Sequence, residues 1–202
     1  LENQATFEME VTPDGMFAAF VHFDFGDGLE GARIGTLDVS TGVVVQSVLG
    51  SGARERHPDL SPDGRFLAYA SNESGGDQVY VRPFPDLEAG LVQVSASDRA
   101  NQPIWSRGTN ELFYVGFLPD GTPRMMVAKY ATDDRFRVVS RRALFAMGNV
   151  RLQESGQSYD VSRDGQRLLM VMIGQRGDEG GDQRLVLVRN WFTELEELLG
   201  GN

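Results

Sequence analysis

Apolar residues in this chain fall into short dense runs, Phe17-Ala-Ala-Phe20, Phe66-Leu-Ala-Tyr69, Leu112-Phe-Tyr114 and Leu168-Leu-Met170, each set off by polar turns. Continuous runs of this length predict strands buried on both faces. Before each run stands a shorter strand and then a turn. In Thr12-Pro-Asp-Gly15 and Ser61-Pro-Asp-Gly64 proline presets φ, Asp tolerates the next position, and Gly takes the left-handed conformation that lets the following strand pair back. The strand before the turn places Val11, Leu60, Trp105 and Val161 at one shared core position. A third strand is expected at Arg33–Val39, Gln78–Pro83, Arg124–Lys129 and Arg184–Arg189, and a fourth at Val43–Leu49, Leu91–Ser95 and Phe136–Ser140. After the last unit, Trp191–Leu199 has apolar residues at helical spacing and predicts a short C-terminal helix, with Gly200 as its stop.

The pattern is a repeat. Met9–Phe20, Pro58–Tyr69, Pro103–Tyr114 and Tyr159–Met170 align without gaps, the third copy lacking its Asp-Gly pair. The marker residues Thr12, Ser61, Ser106 and Ser162 are 49, 45 and 56 residues apart, a spacing that suits four-stranded blades. The fold class expected is an all-β propeller of about four blades, approximately 5–50, 51–97, 98–147 and 155–190, followed by a helix at 191–199. Four blades alone leave unpaired edges. Closure is expected from blades outside this sequence or from a second copy, making a homodimer; the third route has Glu2–Glu8 supply an outer strand to the fourth unit.

The run "SPDGRFLAYAS…GGDQVYVRPFP" resembles the TolB-like, or Trp-Asp-repeat-like, bacterial propellers, whose repeat carries the same Ser-Pro-Asp-Gly turn. The resemblance spans about residues 5–190, strongest in the second copy and degraded in the third. The ending "YDVSRDGQRLLM…LVLVRNWFTELEELL" is also similar to propellers appended to bacterial serine/threonine kinases. These likenesses imply a noncatalytic interaction module, the sensor or scaffold region of a larger signalling protein, and an extracytoplasmic, periplasmic location. Two further readings stay open: an accessory propeller of a hydrolase or peptidase, and a purely structural assembly module.

Composition narrows the partners. A 202-residue chain that is 41% hydrophobic can bury a core, and its net charge of -10 repels nucleic acid and anionic membrane. The longest apolar runs, such as Leu168–Ile173, fall far short of the roughly 20 residues of a membrane helix. Position 1 is Leu and no charged segment with an apolar stretch precedes the first strand, so no signal peptide is expected and the sequence reads as a portion of something longer. There is no cysteine, which removes disulfides, thiolate metal sites and cysteine nucleophiles.

Catalytic patterns are mostly missing. His22 and His57 are the two histidines, and their separation provides no helical pair for zinc. No Gly-x-Ser-x-Gly elbow occurs, and "GSGAR" at Gly50–Arg54 lacks the Gly-Lys-Ser/Thr ending of a phosphate loop. The acidic loops Asp24–Gly31 and Arg176–Asp182 lack the spacing of a calcium loop and read as hairpin tips. Asp59 and Asp160 hold equivalent positions, which argues that they accept hydrogen bonds from the adjoining unit rather than form an acid/base pair. No cofactor and no metal are expected.

Propeller ligands meet the protein at the channel mouth, where the inner strands begin. Arg56, His57, Asn101, Gln102, Gln157 and Ser158 lie there, polar and aligned between copies, and form the candidate ligand site. Arg54, Arg56 and Arg99 on the same connectors could engage a carboxylate or an acidic peptide. The partner expected is a protein or peptide, with a small ligand as the alternative.

Overall fold

The computed structural model describes residues 4–24, 31–45, 49, 52–133, 135–148, 150–154, 156–173 and 183–189. They form four antiparallel sheets, each built from consecutive strands as a meander. Unit 1 is β1 (Gln4–Val11), β2 (Phe17–Asp24), β3 (Ala32–Asp38) and β4 (Val43–Val45); unit 2 is β5 (Glu55–Leu60), β6 (Phe66–Ser71), β7 (Gln78–Pro83) and β8 (Val92–Gln93). Unit 3 is β9 (Arg99–Trp105), β10 (Glu111–Phe117), β11 (Pro123–Ala131) and β12 (Arg137–Ala146). Unit 4 comprises β13 (Tyr159–Val161), β14 (Arg167–Ile173) and β15 (Gln183–Arg189). The helix expected at 191–199 lies outside the described residues, as do most of the two acidic loops.

The recurrent turns have one construction. In unit 2 the Ser61 hydroxyl donates to Asp63 Oδ1 at 2.6 Å and accepts from the Phe66 amide at 3.0 Å, while the Gly64 amide donates to Ser61 O at 2.8 Å. Thr12 with Asp14 and Ser162 with Asp164 repeat the arrangement. These hydroxyl and amide donors hold the Asp14 and Asp164 carboxyls below the usual range. Gly64 sits at φ +70° with the Pro13 ring 3.1 Å from where a Cβ would lie. Gly64→Ala is therefore expected to lower stability by about 1–2 kcal/mol, read as a shift in the urea midpoint with unchanged slope. The third turn, without Asp-Gly, does a different job: Gly108 approaches unit 4 so closely that a Cβ would lie 2.4 Å from Arg163 O.

Three apolar clusters join successive sheets. Val21, Phe23 and Ile34 of unit 1 pack on Leu67, Tyr69 and Tyr80 of unit 2. Unit 2 meets unit 3 through Phe66, Val79 and Val81 against Trp105, Leu112 and Tyr114, and unit 3 meets unit 4 through Phe113, Val115 and Val127 against Tyr159, Leu168 and Met170. Three of the second strands are buried along both faces as their runs predict, β6 completely, β10 nearly so and β2 from Ala18 to Phe23, whereas β14 exposes Leu169. Sheets stacked face to face in sequence order by such clusters are propeller blades.

Several expectations are corrected. Val11 does not share the core position of Leu60, Trp105 and Val161: it is 51% exposed, because it points to the side of unit 1 away from unit 2, which no described sheet covers. Met9, paired with Phe20, lies on that same side. The segment leading to Glu8 belongs to the inner strand of unit 1, paired with β2, and does not complete unit 4. The fourth strand of unit 2 shrinks to Val92–Gln93, whereas that of unit 3 extends to Ala146, well past Ser140.

Candidate functional site

The inner strands carry a shared irregularity. Glu8, His57 and Gln102 occupy equivalent positions in β1, β5 and β9, all with positive φ (48°, 54° and 52°), and the ladder to the next strand shifts register at each. Ser158 aligns with them at the start of unit 4. Such bulges bend a strand and re-aim its side chains. Here they turn polar groups of three sheets toward one another and toward the segment that leads into unit 4.

The Glu8 carboxylate accepts the His57 amide at 2.8 Å and also the Gly156 amide, and lies 3.2 Å from His57 Nδ1. Burial opposes its ionisation, but these donors together hold its carboxyl below the ordinary value. Gln102 Nε2 donates to Ser158 Oγ and to Gln153 O, the Ser158 amide donates to Gln102 Oε1 at 3.0 Å, and the Tyr159 hydroxyl donates to Gln102 O at 2.7 Å. Gln157 Nε2 reaches Pro103 O at 3.1 Å. Arg56 spans from unit 2 to the segment before unit 4, donating to Glu154 Oε2 and O, both at 2.7 Å, and pairing with Asp77 at 3.2 Å.

The six residues singled out in the sequence thus take different stations. Arg56, His57, Gln102 and Ser158 are buried, and all four join units to one another. Gln157 is exposed and Asn101 half-buried. The connector arginines are also engaged, Arg54 with Asp77 at 2.9 Å and Arg99 over the Phe117 ring at 4.7 Å.

Next along the inner strands, the equivalent residues Glu10, Asp59, Ile104 and Asp160 all line a single cleft of about 400 Å³. Its walls include Arg107, Gln157, Ser158 and Tyr159, with Leu169 and Val171 from β14. Asp59 is 4% exposed; it accepts the Trp105 amide at 2.6 Å and Arg107 Nη2 at 2.8 Å, as expected for a contact to the adjoining unit. Burial nevertheless dominates, pushing its carboxyl up to about 7 against the pull of Arg107. Burial likewise raises Glu10, and Asp160 adds to the rise. Asp160 itself is exposed and accepts only the amide of its neighbour Val161 among the described residues, so equivalence with Asp59 extends to position but not to bonding. Among the described residues no group of three or more His, Asp or Glu side chains is placed to hold a metal.

Four sheets stacked in order, with equivalent inner-strand residues gathered about one central cleft, can be compared with known folds. TolB from Acinetobacter baumannii superposes with TM-score 0.64 at 18% identity, over 89% of this chain and 39% of that chain. A putative TolB from Agrobacterium tumefaciens gives 0.56 at 19% over 82% of this chain and 57% of that one. The fold is a TolB-like β-propeller. An oligogalacturonate lyase from Vibrio parahaemolyticus superposes on the propeller equally well, at 0.64, with 10% identity over 91% of this chain and 51% of that one. The propeller therefore spans less than two thirds of each of these chains, and its neighbours include an enzyme as well as TolB. No protein-family model and no curated protein matches the sequence.

Sequence reasoning overlooked Glu8, Glu10 and Arg107. The gap-free alignment held the signal for the first two, since Glu8 stands in register with His57, Gln102 and Ser158, and Glu10 with Asp59 and Asp160. Arg107 carried no such signal. It stands where the first two copies have the turn proline and the fourth has Arg163, in the one copy that also lacks the Asp-Gly pair.

Proposed function

We propose that this propeller is a noncatalytic binding module that takes a peptide or small ligand bearing a cationic group in its axial cleft. The observation that supports this is the lining: Glu10, Asp59 and Asp160 from three units, one Arg107, and an apolar wall of Ile104, Leu169 and Val171. Concave sites with an apolar wall and a few convergent polar groups are the usual form of ligand pockets. Gln157, exposed at the rim, would contact the ligand, whereas Arg56, His57, Asn101, Gln102 and the buried Ser158 would shape the mouth. Binding of this kind suits the sensor or scaffold segment of a larger bacterial protein.

The test uses a fluorescein-labelled hexapeptide of alternating lysine and leucine. Asp160→Asn and Gln157→Ala are expected each to weaken binding by about threefold to tenfold, corresponding to a lost charge pair or hydrogen bond. Both side chains are exposed, so melting should stay at the wild-type temperature for Asp160→Asn and fall by only a few degrees for Gln157→Ala, which gives up its bond to Pro103 O. Unchanged anisotropy curves for both variants would refute the cleft as the site.

A further inference from the structure

Among the described residues the outer strand of unit 3 is longer than those of units 1 and 2. That strand, β12, has ten residues, whereas β4 and β8 have three and two. β12 ends its sheet, and no described strand pairs with its outer side. An edge of this length presents a row of main-chain donors and acceptors to any extended chain that reaches it.

The charge of this edge opposes that of the molecule. Residues 123–146 hold six basic and two acidic side chains, a net +4 within a chain of -10. Pairing of β12 with β11 sets Arg142 opposite Val127, Ser140 opposite Lys129 and Arg137 opposite Ala131. Opposed residues share a face, and alternate residues of β11 share it too, so Lys129, Arg137 and Arg142 stand on one side of the sheet. All three are exposed, and Arg137 pairs with the exposed Asp133 at 3.1 Å, a contact that an incoming carboxylate would have to share or displace. Arg141 points to the other side, where its Nε donates to Val94 O of unit 2 at 2.5 Å, and so serves packing. Next to the cations a groove of about 440 Å³ runs between unit 3 and unit 4, lined by Asn110, Lys129, Tyr130, Val139 and Gln166, with Val139 56% exposed and the buried Glu111 opposite Lys129 in the ladder.

We propose that β12 accepts an extended acidic segment of another protein as an added strand. Main-chain bonds along the edge supply the pairing and carboxylates on alternate residues lie beside Lys129, Arg137 and Arg142, while the residues between them point to the opposite face of the sheet. Strand addition divides its work in this way, with affinity from the ladder and selectivity from side chains. The same cations disfavour a second copy of β12, because like charges would face one another across the new ladder. They also form a strip rather than a broad field, on a molecule whose remaining surface repels a nucleic-acid backbone.

The test is fluorescence anisotropy on the full chain with three probes: an octapeptide of alternating glutamate and valine, the same octapeptide N-methylated at alternate backbone nitrogens, and an eight-nucleotide oligothymidylate. The unmodified octapeptide is expected to bind saturably, and R137E combined with R142E to weaken it by about tenfold or more. N-methylation should abolish binding, since it removes main-chain donors without changing charge. Matching melting curves establish that the double variant folds; if it does not, Arg137→Ser with Arg142→Ser replaces it, with the same expectation. Equal binding of the N-methylated probe, tighter binding of the oligonucleotide, or no saturable binding of the octapeptide would each overturn the proposal. Asp160→Asn, which reports on the axial cleft, should leave octapeptide binding unchanged, so the two sites fail or stand separately.

Discussion

Trp105→Ala is expected to destabilise the protein by about 3–5 kcal/mol, the range for removing a large aromatic side chain from a packed core. Trp105 is 0% exposed, stands edge-on to Tyr130 at 4.9 Å and Phe136 at 5.7 Å between ring centroids, and donates its indole N–H to Asp59 O at 3.0 Å. The side chain therefore fills the interface between units 2 and 3 and also bonds across it. Urea unfolding checks the loss. Trp105→Phe separates the two contributions, because it keeps most of the ring volume and forfeits only the indole bond to Asp59 O, a loss of about 0.5–1.5 kcal/mol. A midpoint for Trp105→Ala within error of wild type would mean that these units do not lean on one another as described.

The second large effect is in pH. The Asp59 carboxyl, raised by burial to about 7, lies above the value an unfolded chain gives it, so between roughly pH 4 and 7 the folded state holds a proton that the unfolded state has released. Stability from this residue is therefore greatest at the acid end of that window, falls as pH rises through it, and levels above about 7. A rise of about three units corresponds to about 4 kcal/mol across the window. Other carboxyls work in the opposite sense, among them Glu8, Glu154 and the turn aspartates Asp14 and Asp164, which are all held low. For that reason the measurement is the difference between wild type and Asp59→Asn. An asparagine side chain cannot titrate, so the variant should gain on the wild type by up to about 4 kcal/mol from pH 4 to pH 8. Carbon-detected NMR of the Asp59 carboxyl gives the midpoint directly, and a value below 5 would contradict the burial argument.

The sheets were legible because their determinants are local. A Ser/Thr-Pro-Asp-Gly turn fixes one hairpin by its own hydroxyl and carboxylate, and the apolar run after it can be satisfied only between two neighbours. The bulges at Glu8, His57 and Gln102 were not legible, since none is a glycine and a positive φ there depends on bonds to residues up to 148 positions away. The same holds for the candidate site. Alignment located its polar positions, but whether Gln102 faces a ligand or Ser158 depends on how closely the inner strands converge, a property of the assembled ring. Val11 shows the opposite limit: its copy-equivalents are buried, and only the lack of a described neighbour on that side of unit 1 exposes it.

Repeat arrays whose units touch only their neighbours unravel stepwise from either end. In this molecule the carboxylate of Glu8 also grips the Gly156 amide, and Arg56 reaches Glu154, so the first two units are tied directly to the segment that leads into the last. Loosening an end blade thus costs contacts on both sides of the hub, which couples the termini of the series and makes melting a collective event rather than a peeling one.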